Sequence, residues 1–377
     1  MKPDVVAQFP ISSDLVMLNH ASFGLATSAI TALAEQVRAE LEADSLALID
    51  VEALTPRLRD AAAAAATHLE LDAGSLVLTA NATSGASAIM RSLAPRGRVV
   101  VLSTEYASML RGWQVRCEEL GSECLRCSVP LPLQSTAQLL DSLDAQVRGP
   151  VDLVEMSLVS SSTAIRFPVE ELVAWFKQRG ALVVLDIAHG PGHVELHPEA
   201  WGVSAMHGTL HKWFPTPRPV GVLWLDDDLR DRIRPSDVSL TCDSPDLVER
   251  FAWTGTYDPT PRLCVRAALE QWTAWRAAGD LQGCVELADH ASARLEALGV
   301  VPTCAPAYLP PRLRAFLVPG VPRETLRDCL DAAKVRGFCG TGPEGQTTLR
   351  VATHVFNDEG DVDLLCGAVR AAGGRSG

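Results

Sequence analysis

Lysine is scarce in this chain of 377 residues. It occurs at Lys2, Lys177, Lys212 and Lys334, although lysine and arginine together number 33. Lys177 and Lys334 lie in segments of helical periodicity, VEELVAWFKQRG and ETLRDCLDAAKVRG, which predict a solvent-facing position. Any reaction that needs a lysine amine therefore has few candidates.

Lys212 stands in a different setting from the other lysines. The stretch GTLHKWFPTPRP places it beside Trp213 and Phe214, just before the apolar run from Val220 to Leu225. An ammonium group is costly to bury unless it has a partner or a chemical task. We therefore predict a functional amine at Lys212.

The chain also lacks an excess of positive charge and any long apolar run. Its formal net charge is -13, which disfavours nucleic acids and anionic membranes as partners, because both bind basic surfaces. No stretch approaches the roughly 20 apolar residues of a membrane-spanning helix, and MKPDVVAQFPISSDLVML has no apolar core typical of a signal peptide. We expect a cytoplasmic protein that binds a small molecule.

The ten cysteines lack a pairing pattern. Many lie inside apolar segments, as Cys264, Cys284 and Cys329 do, and we expect buried, reduced thiols. Cys124 and Cys127 have the spacing of a metal or redox motif. However, no second pair or histidine cluster accompanies them, and ECLRCSV is typical of a strand. The sequence therefore predicts no metal site.

Short apolar runs alternate with helical segments through most of the chain. The runs SLVLTA, RVVVLS, VDLVEMS, ALVVLD and VGVLWL are separated by segments such as SGASAIMRSL. Strands that are apolar throughout and separated by helices predict an α/β fold with a parallel sheet covered on both faces. The pattern changes to mixed helices and strands near residue 260. We predict an N-terminal segment at 1–14, a large domain at 15–260 and a smaller α+β domain at 261–377.

Small, aromatic and charged side chains follow these strands. Ligands of an open parallel sheet bind at the carboxyl ends of its strands. After SLVLTA, the turn NATSGAS could expose amides near Thr83 to a phosphate, although many helices begin with such a turn. Asp186 follows ALVVL, where an isolated carboxylate is most often a cap or a salt bridge. Together with Tyr106 and Lys212, these features match pyridoxal phosphate, which needs a lysine, a carboxylate at its ring nitrogen and an aromatic cover.

Six motifs extend this interpretation to a family. In chain order they are LNHASFG, ANATSGA, DIAHGPG, HKW, WTGTYDP and LRVATHVFN. They resemble LNHGSFG, NATTAL, DGAHAPG, CHKW, WTGTRDP and LRISAHVYN of the class V aminotransferase group, within its isopenicillin N epimerase-like branch. The resemblance covers almost the whole chain. It implies fold type I of pyridoxal phosphate enzymes, with a mainly parallel seven-stranded sheet sandwiched by helices and a smaller C-terminal domain.

The resemblance also implies roles for residues around the cofactor ring. Lys212 would bind the cofactor covalently and then act as the base that removes the substrate α-proton. Asp186 would bind the pyridinium nitrogen, His189 would reach the phenolic oxygen, and Tyr106 would stack on the ring face.

Further residues would hold the phosphate and the substrate. The phosphate ligands implied are Ala82, Thr83, Thr209 and His211, together with Thr256 from the neighbouring subunit of a homodimer with shared active sites. Arg350 would pair bidentately with the substrate carboxylate, beside Asn19.

Departures from the family pattern bear on the reaction. Cysteine desulfurases of this class carry a nucleophilic cysteine in a loop well upstream of the carboxylate-binding arginine. Here the nearest upstream cysteines are Cys339, too close to Arg350, and Cys329, within a helical pattern, so we do not expect a desulfurase. Tyr257 and Leu158 replace polar residues of relatives, which predicts a less polar pocket and a different substrate.

Several reactions remain open for such a site. We expect a carbon-sulfur lyase that performs β-elimination on an S-substituted cysteine of secondary metabolism, as in lincosamide-type antibiotic pathways. The alternatives are epimerisation, decarboxylation coupled to oxidative deamination, and transamination. A non-enzymatic binding protein of the same fold is disfavoured because Lys212 is present.

Overall fold

The computed structural model describes residues 3–375, so Lys2 lies outside the described residues. Within that range the strands are, in chain order, β1 Val16–Met17, β2 Leu76–Thr79, β3 Arg98–Leu102, β4 Glu123–Cys127, β5 Leu153–Ser157, β6 Leu182–Asp186, β7 Ala205–Thr209, β8 Gly221–Leu225, β9 Val301–Pro302, β10 Leu313–Leu317, β11 Val335–Arg336, β12 Phe338–Thr341 and β13 Thr347–Ala352.

Helices separate most of these strands. In the described residues they are α1 Pro3–Val6, α2 His20–Phe23, α3 Ser28–Ala43, α4 Ser45–Ile49, α5 Val51–His68, α6 Ala82–Ser92, α7 Ala107–Leu120, α8 Thr136–Gln146, α9 Val169–Lys177, α10 Pro198–Trp201, α11 Asp227–Arg230, α12 Leu247–Ala252, α13 Thr260–Leu263, α14 Val265–Ala277, α15 Asp280–Glu296, α16 Arg323–Ala332 and α17 Glu359–Arg375.

A seven-stranded sheet forms the centre of the molecule. Its spatial order is β2-β8-β7-β6-β5-β3-β4. The pairs from β7 to β4 are parallel, whereas β8 is antiparallel to both of its neighbours. Six strands therefore share one direction, and their carboxyl ends meet at one edge. The mainly parallel seven-stranded sheet predicted from the sequence is confirmed.

Alternate residues of each strand enter two different cores, because side chains of a strand point to opposite faces. On one face, Val154 and Val183 pack with residues of α5, α8, α9 and α14. On the other, Leu153 and Val184 pack with residues of α6, α7 and α12. Burial on both faces explains why these strands are apolar throughout.

A second sheet lies toward the C-terminus, in the order β12-β13-β10-β9 with antiparallel pairing. The N-terminal strand β1 pairs in parallel with β11, and the adjacent Leu18 is fully buried in the cluster formed by α15, α16, α17 and this sheet. Val265 and Leu269 of α14 pack in the core of the large sheet instead. The domain boundaries at 14 and 260 stay a prediction.

The structure also shows where the CxxC pair and two of the lysines lie. Cys124 and Cys127 lie in β4, and the ten cysteines are free thiols. Lys177 is exposed in the last turn of α9, and Lys334 is exposed just after α16, where it pairs with Asp14. None of the helices within residues 3–375 combines the length and apolar character needed to cross a membrane.

The contact of Leu18 with the C-terminal cluster is testable. Leu18→Ala removes a fully buried side chain and should lower the free energy of unfolding by about 2 to 5 kcal/mol, as lost burial and a cavity both contribute. Denaturant titration measures this. Leu46 is 75% exposed, so Leu46→Ala serves as the control and should change stability by less than about 0.5 kcal/mol. Equal effects of the two substitutions would contradict this packing.

Candidate active site

The predicted site residues come together at the carboxyl edge of the large sheet. Asp186 is the last residue of β6, and Thr209 is the last residue of β7. The loop between β7 and β8 carries His211 and Lys212. The parallel arrangement of β6 and β7 brings these positions side by side, because Asp186 pairs in register with His207, two residues before Thr209.

Two contacts fix the backbone that carries Lys212. The indole of the next residue, Trp213, is fully buried and stacks on His193 with 3.9 Å between ring centroids. On the other side, Gly24 lies so close that a Cβ there would be 1.4 Å from the carbonyl oxygen of His211. Gly24 also has a φ of 71°, which favours glycine. The glycine of LNHASFG is therefore required by the lysine loop.

The amine of Lys212 is tuned by its surroundings. Burial lowers the pKa of Lys212 to about 8, with Asp186 opposing this change and the charge of Arg350 contributing to it. A larger fraction of neutral amine is thus present near neutral pH than for an exposed lysine. A neutral amine is the form that attacks an aldehyde or removes a proton.

Asp186 and His189 form the wall beside Lys212. Asp186 is 6% exposed, and its Oδ1 accepts the N–H of Ala188 at 2.7 Å. His189 is buried, and burial, followed by the charges of Lys212 and Arg350, holds its pKa well below the usual range. A neutral imidazole and a carboxylate therefore lie beside the lysine.

Two of the residues predicted to hold a phosphate, Ala82 and Thr83, begin α6. Asn81 caps this helix by accepting the N–H of Ser84 at 2.9 Å, which leaves the amides of Ala82 and Thr83 at an open helix start. Nδ1 of His211 lies 3.1 Å from the backbone nitrogen of Val220 and 3.0 Å from its carbonyl oxygen, which fixes the orientation of the ring. Burial lowers the pKa of His211 to about 4. His211 is therefore neutral near pH 7.

Tyr106 and Thr256 are less enclosed than the other predicted residues. Tyr106 precedes α7 and is 50% exposed, while its N–H donates to Glu105 at 2.7 Å. Thr256 is exposed in the loop between α12 and α13. Across the described residues, no hydrogen bond joins Thr256 to the rest of the site, and its predicted contact with a second subunit stays a prediction.

Arg350 reaches the same edge from β13. It is 2% exposed, and its Nη2 donates to Asn19 Oδ1 at 2.9 Å and to Ser22 Oγ at 2.7 Å. Its Nη1 donates to the carbonyl oxygen of Ser161 at 2.5 Å. Burial lowers the pKa of Arg350 to about 10. Within the described chain, its hydrogen-bond acceptors are neutral and no carboxylate pairs with it.

Several buried polar atoms at this edge have no hydrogen-bond partner in the described part of the protein. They are both ring nitrogens of His189, Oγ1 of Thr209 and Nε of Arg350. Leaving such groups unsatisfied is costly. These atoms would gain hydrogen-bond partners from two bound molecules. One would carry a phosphate and a ring oxygen, and the other would carry a carboxylate. The residues present thus fit pyridoxal phosphate and an amino acid.

The sequence interpretation missed several polar groups of the site. Ser22 and Ser161 hold Arg350, and Ser22 belongs to the motif LNHASFG that had already attracted notice. Glu105 and Glu155 are buried close to Asp186, and burial, followed by the charge of Asp186, raises the pKa of Glu105. The glutamate inside the apolar run VDLVEMS was the available signal of a buried carboxyl group. That run was interpreted as a strand from its apolar residues alone.

Comparison with known proteins identifies the family. The chain belongs to the class V aminotransferases, since the family described as Aminotransferase class-V matches residues 52–365. Members of this family use pyridoxal 5'-phosphate, and the chain is a class V pyridoxal phosphate enzyme. The family and the cofactor predicted from the sequence are confirmed.

Individual relatives differ in their named activities. Isopenicillin N epimerase of Amycolatopsis lactamdurans is 28% identical over 304 residues, which cover 76% of each chain. L-cysteine desulfhydrase-like protein lolT1 of Epichloe uncinata is 26% identical over 221 residues, covering 51% of this chain and 49% of that protein. The apo structure of cysteine desulfurase from Thermococcus onnurineus NA1 superimposes with a TM-score of 0.82 at 18% identity and covers 99% of both chains. The last likeness shows a shared fold.

The lowered pKa of Lys212 predicts how cofactor capture depends on pH. When cofactor-free protein is mixed with pyridoxal phosphate and treated with borohydride, the label should be on Lys212. The initial capture rate should rise with pH and level off above about 8, because the neutral amine is the reactive form. Peptide mapping and stopped-flow absorbance measure both results.

The exposed lysine at position 177 provides the control for this capture experiment. Lys177→Ala should leave the rate and its pH dependence unchanged, whereas Lys212→Ala should abolish the label. Label on Lys177, or a rate that continues to rise to about pH 10 as for an exposed amine, would contradict the assignment.

Proposed function

We propose that this enzyme removes the α-proton of an L-α-amino acid and then expels a β-substituent, cleaving the carbon-sulfur bond of an S-substituted cysteine. The observation that carries this proposal is that two groups lie at the same sheet edge. One is the amine of Lys212, whose pKa is about 8. The other is the guanidinium of Arg350, which is buried and has no carboxylate partner among the described residues. The two groups match the α-carbon and the carboxylate of one amino acid.

The chain's own residues have distinct tasks in this reaction. When bound, the cofactor supplies an electron sink that stabilises negative charge at the substrate α-carbon. Arg350 binds the substrate carboxylate and, through Asn19 and Ser22, is held in one orientation. Lys212 accepts the α-proton on Nζ and returns it to the expelled group or to the product.

Other predicted residues hold the cofactor in this proposal. Asp186 pairs with its ring nitrogen and His189 donates to its ring oxygen, while Tyr106 covers one face. The phosphate is held by the start of α6 at Ala82 and Thr83, by Thr209 and by His211, whose imidazole is neutral because burial lowers its pKa to about 4. Thr256 of a second copy completes this binding in a homodimer.

The cysteines support a lyase that needs no protein thiol. Cys339 pairs in register with Leu349, one residue before Arg350, so its side chain lies on the opposite face of the sheet from the arginine. Burial raises the pKa of Cys339 to about 11, which keeps it a thiol rather than a nucleophilic thiolate. A desulfurase mechanism would require a reactive cysteine that meets the substrate sulfur.

Epimerisation is the second candidate, because the relative from Amycolatopsis lactamdurans covers 76% of the chain. It shares the proton removal by Lys212 and differs in returning the proton to the opposite face. Decarboxylation coupled to oxidative deamination of the same kind of substrate is a third outcome of this site. The cytoplasmic location and the role in antibiotic biosynthesis stay predictions.

Product analysis tests the proposed reaction. Cofactor-loaded enzyme is incubated with a series of S-alkyl-L-cysteines, with L-cysteine and with a non-sulfur amino acid such as L-alanine as the control. Release of thiol, pyruvate and ammonia in equal amounts from the S-alkyl substrates supports β-elimination. Accumulation of the D-amino acid would instead assign an epimerase, and release of carbon dioxide with an aldehyde would assign the decarboxylating reaction.

The carboxylate site makes a separate prediction. Arg350→Lys should raise KM roughly 10- to 100-fold, since lysine cannot form the bidentate pair that links two charged groups. The absorbance spectrum of the bound cofactor without substrate should not change. Ser22→Ala removes one hydrogen bond to the same guanidinium and should produce a smaller increase. An unchanged KM in Arg350→Lys would remove Arg350 from the substrate site.

A further inference from the structure

A row of polar side chains interrupts the apolar face of the large sheet beneath Asp186. Glu155 and Ser157 of β5, Asp186 of β6 and His207 of β7 point to the same face, as the strand registers require. Their neighbours on that face, such as Val184, are apolar and pack with α6 and α7. Polar groups in such a core are costly unless they are paired.

Glu155 and His207 form a fully buried pair. Nε2 of His207 lies 2.7 Å from Oε1 of Glu155, and the indole of Trp113 donates to Oε2 of the same carboxylate at 2.9 Å. The side chains of His207 and Glu155 are 0% and 1% exposed, respectively. Burial disfavours charge on His207, but the charge and hydrogen bond of Glu155, with smaller contributions from Asp186 and Glu105, raise the pKa of His207 to about 9.

The pair has a definite direction relative to Asp186. His207 is the register partner of Asp186 on the adjacent strand, whereas Glu155 is the partner of Val184, two residues farther back. The imidazolium end of the pair is therefore the end beside Asp186. A positive group in this position favours the ionised form of a neighbouring carboxylate.

A second buried acid counteracts this effect. Glu105 accepts the hydroxyl of Ser157 at 2.7 and 2.8 Å on its two oxygens, and Ser157 is the register partner of Asp186. Burial, followed by the charges of Asp186 and Glu155, raises the pKa of Glu105 to about 8. Glu105 and Asp186 are thus two buried carboxyl groups close to each other, and the imidazolium lies on the side of Asp186.

We propose that Glu155 and His207 are positioning residues whose ion pair presents its imidazolium to Asp186 and keeps that carboxylate ionised against Glu105. Through Asp186, the pair holds the proton on the ring nitrogen of the cofactor. This inference rests on the proposed role of Asp186. Lys212, from the loop after β7, also interacts with Asp186.

Nitrogen-15 resonance of a cofactor labelled at its ring nitrogen tests the proposal directly. In the wild-type protein the ring nitrogen should be protonated at neutral pH. Glu155→Gln and His207→Gln should each lower the pH at which this proton is lost by about one to two units, as expected for one nearby buried charge. Because the pair acts as a unit, the double variant should show no larger shift than the single variants.

Trp113→Phe is the matched control. It removes a hydrogen bond to the same carboxylate without a change of charge, and should leave the titration of the ring nitrogen where it is. An equal shift in Trp113→Phe, or no shift in Glu155→Gln and His207→Gln, would overturn the proposal.

A measurement on the unmodified protein does not depend on the folding of these variants. With nitrogen-15-labelled histidine, His207 should carry protons on both ring nitrogens at pH 8, whereas buried His189 should be neutral. A neutral His207 at pH 7 would also overturn the proposal. Failure of the wild-type protein to bind the cofactor at Lys212 would contradict the proposed function. If the cofactor binds at Lys212 but the variants leave the titration of its ring nitrogen unchanged, only this inference is rejected.

Discussion

The close approach of Gly24 to the backbone of His211 and Lys212 is the constraint on which the site depends. The N-terminal segment can contact the lysine loop at this point because residue 24 has no Cβ. From there the same segment continues through Asn19 and Ser22, which hold the guanidinium of Arg350. One short segment thus connects the lysine loop of the large sheet to the buried Arg350 of the C-terminal sheet.

Much of the fold and site could be predicted from local patterns. The apolar strands and intervening helices specify a covered parallel sheet, and Asp186 and Lys212 attract notice because they follow strands. The pairing of β1 with β11 could not be predicted, since two residues from each of two distant segments carry no periodicity. The contacts of Arg350 with Ser161 and Ser22 depend on how two sheets meet, which composition and spacing do not specify. Roles that need a second subunit, as for Thr256, also lie beyond one chain.

The fold of this chain recurs in a solved structure of low sequence identity. A cysteine desulfurase superimposes at a TM-score of 0.82 with 18% identity, yet the cysteines of this chain are placed where they serve packing. Cys329 and Cys366 lie in the C-terminal core, and Cys339 points away from Arg350. The fold alone therefore does not specify which reaction the site performs.

The neutral resting partners of Arg350 have a consequence for discrimination among metabolites. Since Asn19, Ser22 and Ser161 offer dipoles rather than charge, an incoming carboxylate can replace them without separating an existing ion pair. An amine without a carboxylate cannot replace the hydrogen bonds that the buried guanidinium would lose in that rearrangement. With the proposed carboxylate-binding role of Arg350, the pocket would select against polyamines and other simple amines, which could otherwise react with the cofactor and deplete it.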